Sequence, residues 1–183
     1  MRTRMGILFV VLALAFAVTY GGSALAMDEG SSGTGELKIE NNTEPPLPAA
    51  DGDAVWQYIK KTKKYKWWPK WPGKKKLYEG TQPHGALLTT RVTRDAKKVI
   101  KKKKGVFDNG AIIVKENYMA DKTLDSVTVM YKVQGYNPKA GDWFWAKYKP
   151  DGTVEVAGKV KGCINCHSIQ ADNDWVYTDD IGK

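Results

Sequence analysis

Ser126-Val-Thr-Val-Met-Tyr-Lys-Val133 places an apolar side chain at every second position, the pattern of a strand with one buried face. Trp143-Phe-Trp-Ala-Lys-Tyr148 reads as a second strand, and Pro150-Asp-Gly152 turns the chain into a third, Thr153-Val-Glu-Val156. Upstream, Ala86 to Thr93 is rich in Leu, Thr and Val, and Asp108-Asn-Gly110 turns into Ala111-Ile-Ile-Val-Lys-Glu116. The connections are short enough for antiparallel neighbours. Two helices are expected beside them. Ala54-Val-Trp-Gln-Tyr-Ile-Lys60 would turn Val55, Trp56 and Ile59 inward, before the proline-punctuated loop Trp68-Pro-Lys-Trp-Pro-Gly73. Arg94 to Lys103 would carry Ala96, Val99 and Ile100 on one face. There is no internal repeat. The fold class is therefore α+β, an antiparallel β-sheet with a few helices.

The N-terminus has the layout of an export signal. Met1-Arg-Thr-Arg4 is basic, Gly6 to Val18 is almost unbroken apolar sequence, and Ala24-Leu-Ala26 supplies a small-x-small cleavage site. The apolar run is short for a membrane span of about 20 residues. We expect residues 1–26 to be a signal peptide, 27–52 a flexible leader rich in Gly, Ser, Glu, Asn and Pro, and 53–183 one folded domain. Cleavage would leave an exported chain with no membrane span, periplasmic or secreted. Loss of Arg2 and Arg4 lowers the formal charge from +9 to +7. The remaining excess is clustered at Lys60 to Lys66, Lys74 to Lys76 and Lys101 to Lys104, with Trp67, Trp68 and Trp71 interleaved. Such a mixture suits nucleic acid in a cytoplasmic protein, but the export signal argues against that. Two readings remain, solvated lysines around buried tryptophans or a docking field for an acidic redox partner.

The chain's two cysteines both stand in Cys163-Ile-Asn-Cys-His167. C-x-x-C-H is the spacing at which two thiols join haem vinyl groups and the adjoining imidazole becomes the proximal iron ligand. Zinc would need four ligands, and beyond His167 only His84 and carboxylates remain. A dithiol redox pair would want a strand before it and a helix opening at the first cysteine. Covalent haem c, held by Cys163, Cys166 and His167, is the expectation, with the haem clamped between the sheet and the C-terminal segment.

Several blocks together resemble the cytochrome P-460 family, which includes the cytochrome c′-beta proteins. They are Pro83-His-Gly85, Asn109 to Asn117, Val129-Met-Tyr-Lys132, Gly135-Tyr-Asn-Pro138, Gly141 to Tyr148 and Gly162 to Ser168. The resemblance runs from about Asp53 to the C-terminus. It implies a sheet-based fold, commonly a homodimer, and one pentacoordinate haem with a proximal histidine and a distal side open to small ligands. Members proper oxidise hydroxylamine; the c′-beta relatives bind nitric oxide and similar gases without turnover. The family's haem-linked lysine matches Lys115, and its distal arginine is nearest to Arg91. The distal carboxylate of the enzymes is expected near Val127 or Thr128, where none stands, and Asp125 is the closest.

Strand alternation places Ile113 and Asn117 on the face of Lys115. An amine among apolar neighbours reaches its neutral, nucleophilic form more easily. The bland alternative is a lysine in water, or one paired with Glu116 or a propionate. His84, Met119, Met130 and Lys115 could each supply a second axial ligand. Met130 reads better as core, and His84 as a turn residue bonded to backbone. An open iron site is therefore favoured, with Trp143, Phe144, Trp145 and Tyr148 as core and pocket walls. Three functions follow: oxidation of hydroxylamine with electrons passed to an exported acceptor, gas binding without turnover, or plain electron transfer.

Overall fold

The computed structural model describes residues 44–102 and 105–178. The expected signal peptide, and the leader up to residue 43, lie outside the described residues. Six strands form one antiparallel meander in chain order: β1 (Tyr78–Glu79), β2 (Leu87–Val92), β3 (Ile112–Tyr118), β4 (Leu124–Lys132), β5 (Trp143–Tyr148) and β6 (Val154–Gly158). Helices α1 (Gly52–Gln57), α2 (Arg94–Lys101) and α3 (Lys161–His167) pack around it. The α+β sheet architecture expected from the alternation is the one observed. No helix among the described residues is long and apolar enough to cross a membrane.

The alternation of β3, β4 and β5 sorts the core into two layers. Val114, Val127, Val129, Tyr131, Phe144 and Tyr148 point to one face, where Val55 and Trp56 of α1, with Ile59 and Tyr65, cover them. Ile113, Met130, Trp143 and Trp145 point to the other, beneath Val99 and Ile100 of α2, Phe107 and Val176. Both helices bury the side chains that their spacing assigns. Gly152, at φ +101°, is required where Trp56 approaches the turn between β5 and β6; a Cβ there would lie 2.2 Å from the indole nitrogen.

Three elements differ from expectation. Strand β1, with two residues, is too short to show a period, and is held by its pairing with Leu87 and Leu88. Ordered packing also begins before Asp53. Tyr131 donates its hydroxyl to the Pro48 carbonyl at 3.0 Å, and Asp51 caps α1 by accepting from the Ala54 N–H at 3.0 Å. Pro45, Pro46 and Pro48 have little backbone entropy to lose, so this approach segment orders readily. Finally, Cys163 lies inside α3, directly after β6, so the haem motif stands on a helix preceded by a strand.

A buried ion pair ties the C-terminal segment to the sheet. Lys132 of β4 donates to both oxygens of Asp174, at 2.6 and 2.7 Å, and to the Gly141 carbonyl at 2.7 Å. Asp174 also accepts from the Phe107 N–H at 2.7 Å, and its carbonyl accepts from the Trp143 indole at 2.8 Å. Lys132 and Asp174 are each about nine-tenths buried, so neither charge has water as a substitute partner. Asp174→Ala should cost about 3–5 kcal/mol, because it strands the Lys132 charge. Replacing both by apolar residues (Lys132→Met with Asp174→Leu) should recover much of that. Urea unfolding of the single and the double variant tests this; a single variant within about 1 kcal/mol of wild type, well below the loss expected for a stranded buried charge, would refute it.

Candidate haem site

Helix geometry explains the motif's spacing. Positions 163, 166 and 167 fall at i, i+3 and i+4 of α3, so both thiols and the imidazole share one helix face. Cys163 is half-buried against the apolar layer containing Ile113 and Trp145, Cys166 is exposed, and neither forms a disulfide. The strand that a dithiol redox pair would want is present, but α3 opens at Lys161, two residues before the first cysteine. The thiol chemistry also argues against one: burial pushes the Cys163 pKa up, whereas exchange-active C-x-x-C cysteines have it lowered. No group of three or more His, Cys, Asp or Glu that could hold a metal exists among the described residues.

His167 is oriented like a metal-ligating histidine. Its Nδ1 lies 2.7 Å from the Trp175 carbonyl, which can only accept, so the proton sits on Nδ1 and Nε2 keeps its lone pair. Burial, and secondarily the Lys115 charge, push its pKa down against that hydrogen bond, so the ring is neutral at physiological pH. Trp145 and Tyr177 pack edge-on against it at 4.7 and 5.3 Å, and the Tyr177 hydroxyl donates to the Cys166 carbonyl at 2.8 Å. The Trp145 indole N–H is buried without an acceptor among the described residues. A haem propionate would supply one, so the donor set and this orphaned N–H both fit the group.

The sheet presents two rows of side chains on this face. One is apolar: Val92, Ile113, Met130 and Trp145. The next is polar: Thr90, Lys115, Thr128 and Lys147, paired in register across four strands. Lys115 thus shares its face with Ile113 and Asn117, as alternation predicts. Met130 is core, as expected, and Met119 is exposed. Of the expected aromatic walls, Trp143 and Trp145 belong to this face and Phe144 and Tyr148 to the other.

His84 is bonded differently from the sequence reading. The Asn117 amide nitrogen donates to the Lys115 and Ser126 carbonyls and to Thr128 Oγ1, at 3.2–3.3 Å. Its Oδ1 therefore accepts from His84 Nδ1 at 3.1 Å, which leaves His84 Nε2 a lone pair. Burial first, then the charges of Lys115 and His167, lower the His84 pKa to about 4. A histidine flanked by proline and glycine gave no sequence signal of this side-chain bond, because Asn117 lies 33 positions away.

Arg91 does not join this cluster, and Asp125 meets only its edge, where Lys147 has its pKa raised by its bond to Glu155 and to a lesser degree by the Asp125 charge. Arg91 pairs with Val114, one register position from the Thr90–Lys115 pair, so its side chain points to the opposite face. Alternation alone, applied to β2 and β3 together, carries that signal. Asp125 is exposed at the start of β4 and accepts from Ser126 Oγ at 2.9 Å. Glu116, expected only as a possible partner of Lys115, lies on Arg91's face instead, where its buried carboxylate accepts from the Tyr65 and Tyr118 hydroxyls.

Between pH 4 and 6.5 the unfolded chain binds the His84 proton and the folded chain does not. The stability owed to this group is thus whole above about pH 6.5 and is lost as pH falls toward 4. Urea midpoints from pH 7.5 to 4.5 should fall less steeply in His84→Asn than in wild type, and identical slopes would overturn the assignment. Among known proteins, no curated sequence matches this chain. The family model described as Cytochrome P460 matches residues 62–178, most of the folded part and the whole C-x-x-C-H helix. The chain belongs to the cytochrome P460 family, and haem is the cofactor that membership implies.

Proposed function

We propose that this is an exported monohaem c-type cytochrome whose open distal side takes a small nitrogen compound, hydroxylamine or nitric oxide. Haem supplies an iron that binds such a ligand and exchanges electrons with it. The observation that carries the reading is that Lys115 and His84 lie on the same side of the sheet as His167, close enough that the Lys115 charge adds to burial in lowering the pKa of both imidazoles. Cys163 and Cys166 would hold the group by thioethers, and His167 would ligate its metal through Nε2. Trp143 and Trp145 would exclude water from its edge. Lys115 would present its amine to that edge from β3; an amine–meso carbon bond there would replace one N–H and one C–H, with the two protons and two electrons passing to a peroxide-class oxidant.

Gas binding without turnover is the second reading, and one observation favours it. The polar row beside Lys115 consists of Thr90, Thr128 and Lys147, none of them a carboxylate that could receive the protons hydroxylamine oxidation releases, and Glu155, at the Lys147 end of the row, is already engaged by Lys147 at 2.8 Å. An acidic redox partner fits the excess of lysine. The Lys60–Lys66 run, however, follows α1 over the sheet face opposite His167, so α2, with Lys97, Lys98 and Lys101, is the basic element nearer the haem side.

Denaturing mass spectrometry of the exported protein should show haem retained, and Cys163→Ala with Cys166→Ala should abolish retention. A mass lower by a further two hydrogens, lost in Lys115→Ala together with a red-shifted Soret band, marks the lysine bond. Steady-state hydroxylamine oxidation with an artificial acceptor then divides the readings. Turnover supports the enzyme, nitric oxide binding without turnover supports the gas binder, and a six-coordinate low-spin ferric spectrum removes both.

A further inference from the structure

The face of the sheet turned away from His167 carries its own recess, of about 240 Å³. Lys66, Lys76, Arg91 and Lys122 line it, and Glu116 and Tyr118 form part of its wall. Four cationic groups and one carboxylate thus line the same recess. Glu116 is already served: Oε1 accepts from Tyr65 and, at 3.2 Å, from Lys66, while among the described residues Oε2 accepts from Tyr118 alone, at 3.1 Å. A carboxylate offers about four lone-pair sites, so one on Oε2 is left over. Burial and Glu116 push the Tyr118 pKa up to about 12, so the phenol stays a neutral donor. Arg91 is 9% exposed, and its Nη1 donates to the Trp68 carbonyl at 3.1 Å. Its Nε is buried with no partner among the described residues. A guanidinium N–H in that state asks for an acceptor oxygen.

We propose that this recess is a binding site for a small oxyanion that carries a proton, with the chemistry of free hydrogen phosphate. Its oxygens accept from Arg91 Nε and from Lys66, Lys76 and Lys122. Its P–O–H donates to the open lone pair of Glu116 Oε2. Sulfate matches the size and charge but has no proton at neutral pH, so it would meet Glu116 as a bare repulsion. The carboxylate in the wall therefore makes the site selective rather than simply cationic. Lys115 and Glu116 are consecutive on β3 and point to opposite faces, so this site is separate from the haem face and does not rest on the haem reading.

The test is isothermal titration of the haem-loaded protein, exchanged into phosphate-free chloride buffer at pH 7.5, with inorganic phosphate and with sulfate. Saturable one-to-one phosphate binding is expected, with sulfate at least about tenfold weaker, the equivalent of one lost charge-assisted hydrogen bond. Arg91→Met should weaken phosphate by about tenfold or more, and Glu116→Gln should bring the two anions together. Should either buried variant fail to fold, Lys76→Ala with Lys122→Ala, both exposed positions, should weaken phosphate several-fold while the haem spectrum stays unchanged. Equal, ionic-strength-dependent responses to both anions, or unchanged affinity in the surface double variant, would overturn the proposal.

Discussion

The ion pair between Lys132 and Asp174 is the constraint on which the rest of the structure depends. The C-terminal segment has few apolar anchors of its own: no residue of α3 is fully buried. It is held by polar contacts that converge on one residue, with the Asp174 carboxylate taking Lys132 and the Phe107 N–H while its carbonyl takes Trp143. The next residue, Trp175, then presents its carbonyl to His167. Gly141 permits this close approach; at φ +64°, a Cβ there would come within 2.5 Å of the Trp175 ring. A buried pair contributes little net stability against an apolar substitute, but in some proteins it fixes one geometry among alternatives. Here the geometry specified is the orientation of an imidazole.

The second organising fact is that consecutive residues of β3 serve opposite sides of one sheet. Lys115 enters a polar row beside the haem motif, and Glu116 enters a tyrosine-lined hollow beneath α1 and its following turns. A meander with both faces covered isolates two polar sites with only a strand's thickness of backbone between them. Each uses an acceptor oxygen carried on β3: Asn117 Oδ1 takes His84 from the loop before β2, and the Glu116 carboxylate takes Tyr65 from the turns after α1 and Tyr118 from β3 itself. Asn117 is pinned by three acceptors and so orients His84, while Glu116 is pinned by two phenols.

Local pattern made much of this legible. The spacing of Val127, Val129 and Tyr131 specified a strand and its buried face, and Ala96, Val99 and Ile100 specified a helix, because burial of each depends on a period of a few residues. The sites were less legible. Arg91 matched a family position by order along the chain, yet one residue of register separates it from the face it was expected to join. The His84–Asn117 bond spans a long separation and leaves no periodic trace. Strand β1 exists only because β2 offers it a partner.

Composition and spacing alone determined that the chain builds an antiparallel sheet and carries a haem-attachment motif. Both depend on side-chain chemistry at short separations, which any copy of the sequence contains. Tertiary structure decided which polar residues keep company: Lys115 and His84 with His167, and Arg91 with Glu116. The physical reason is that a sheet has two faces and a pairing register, and both are settled by packing between segments far apart in the chain.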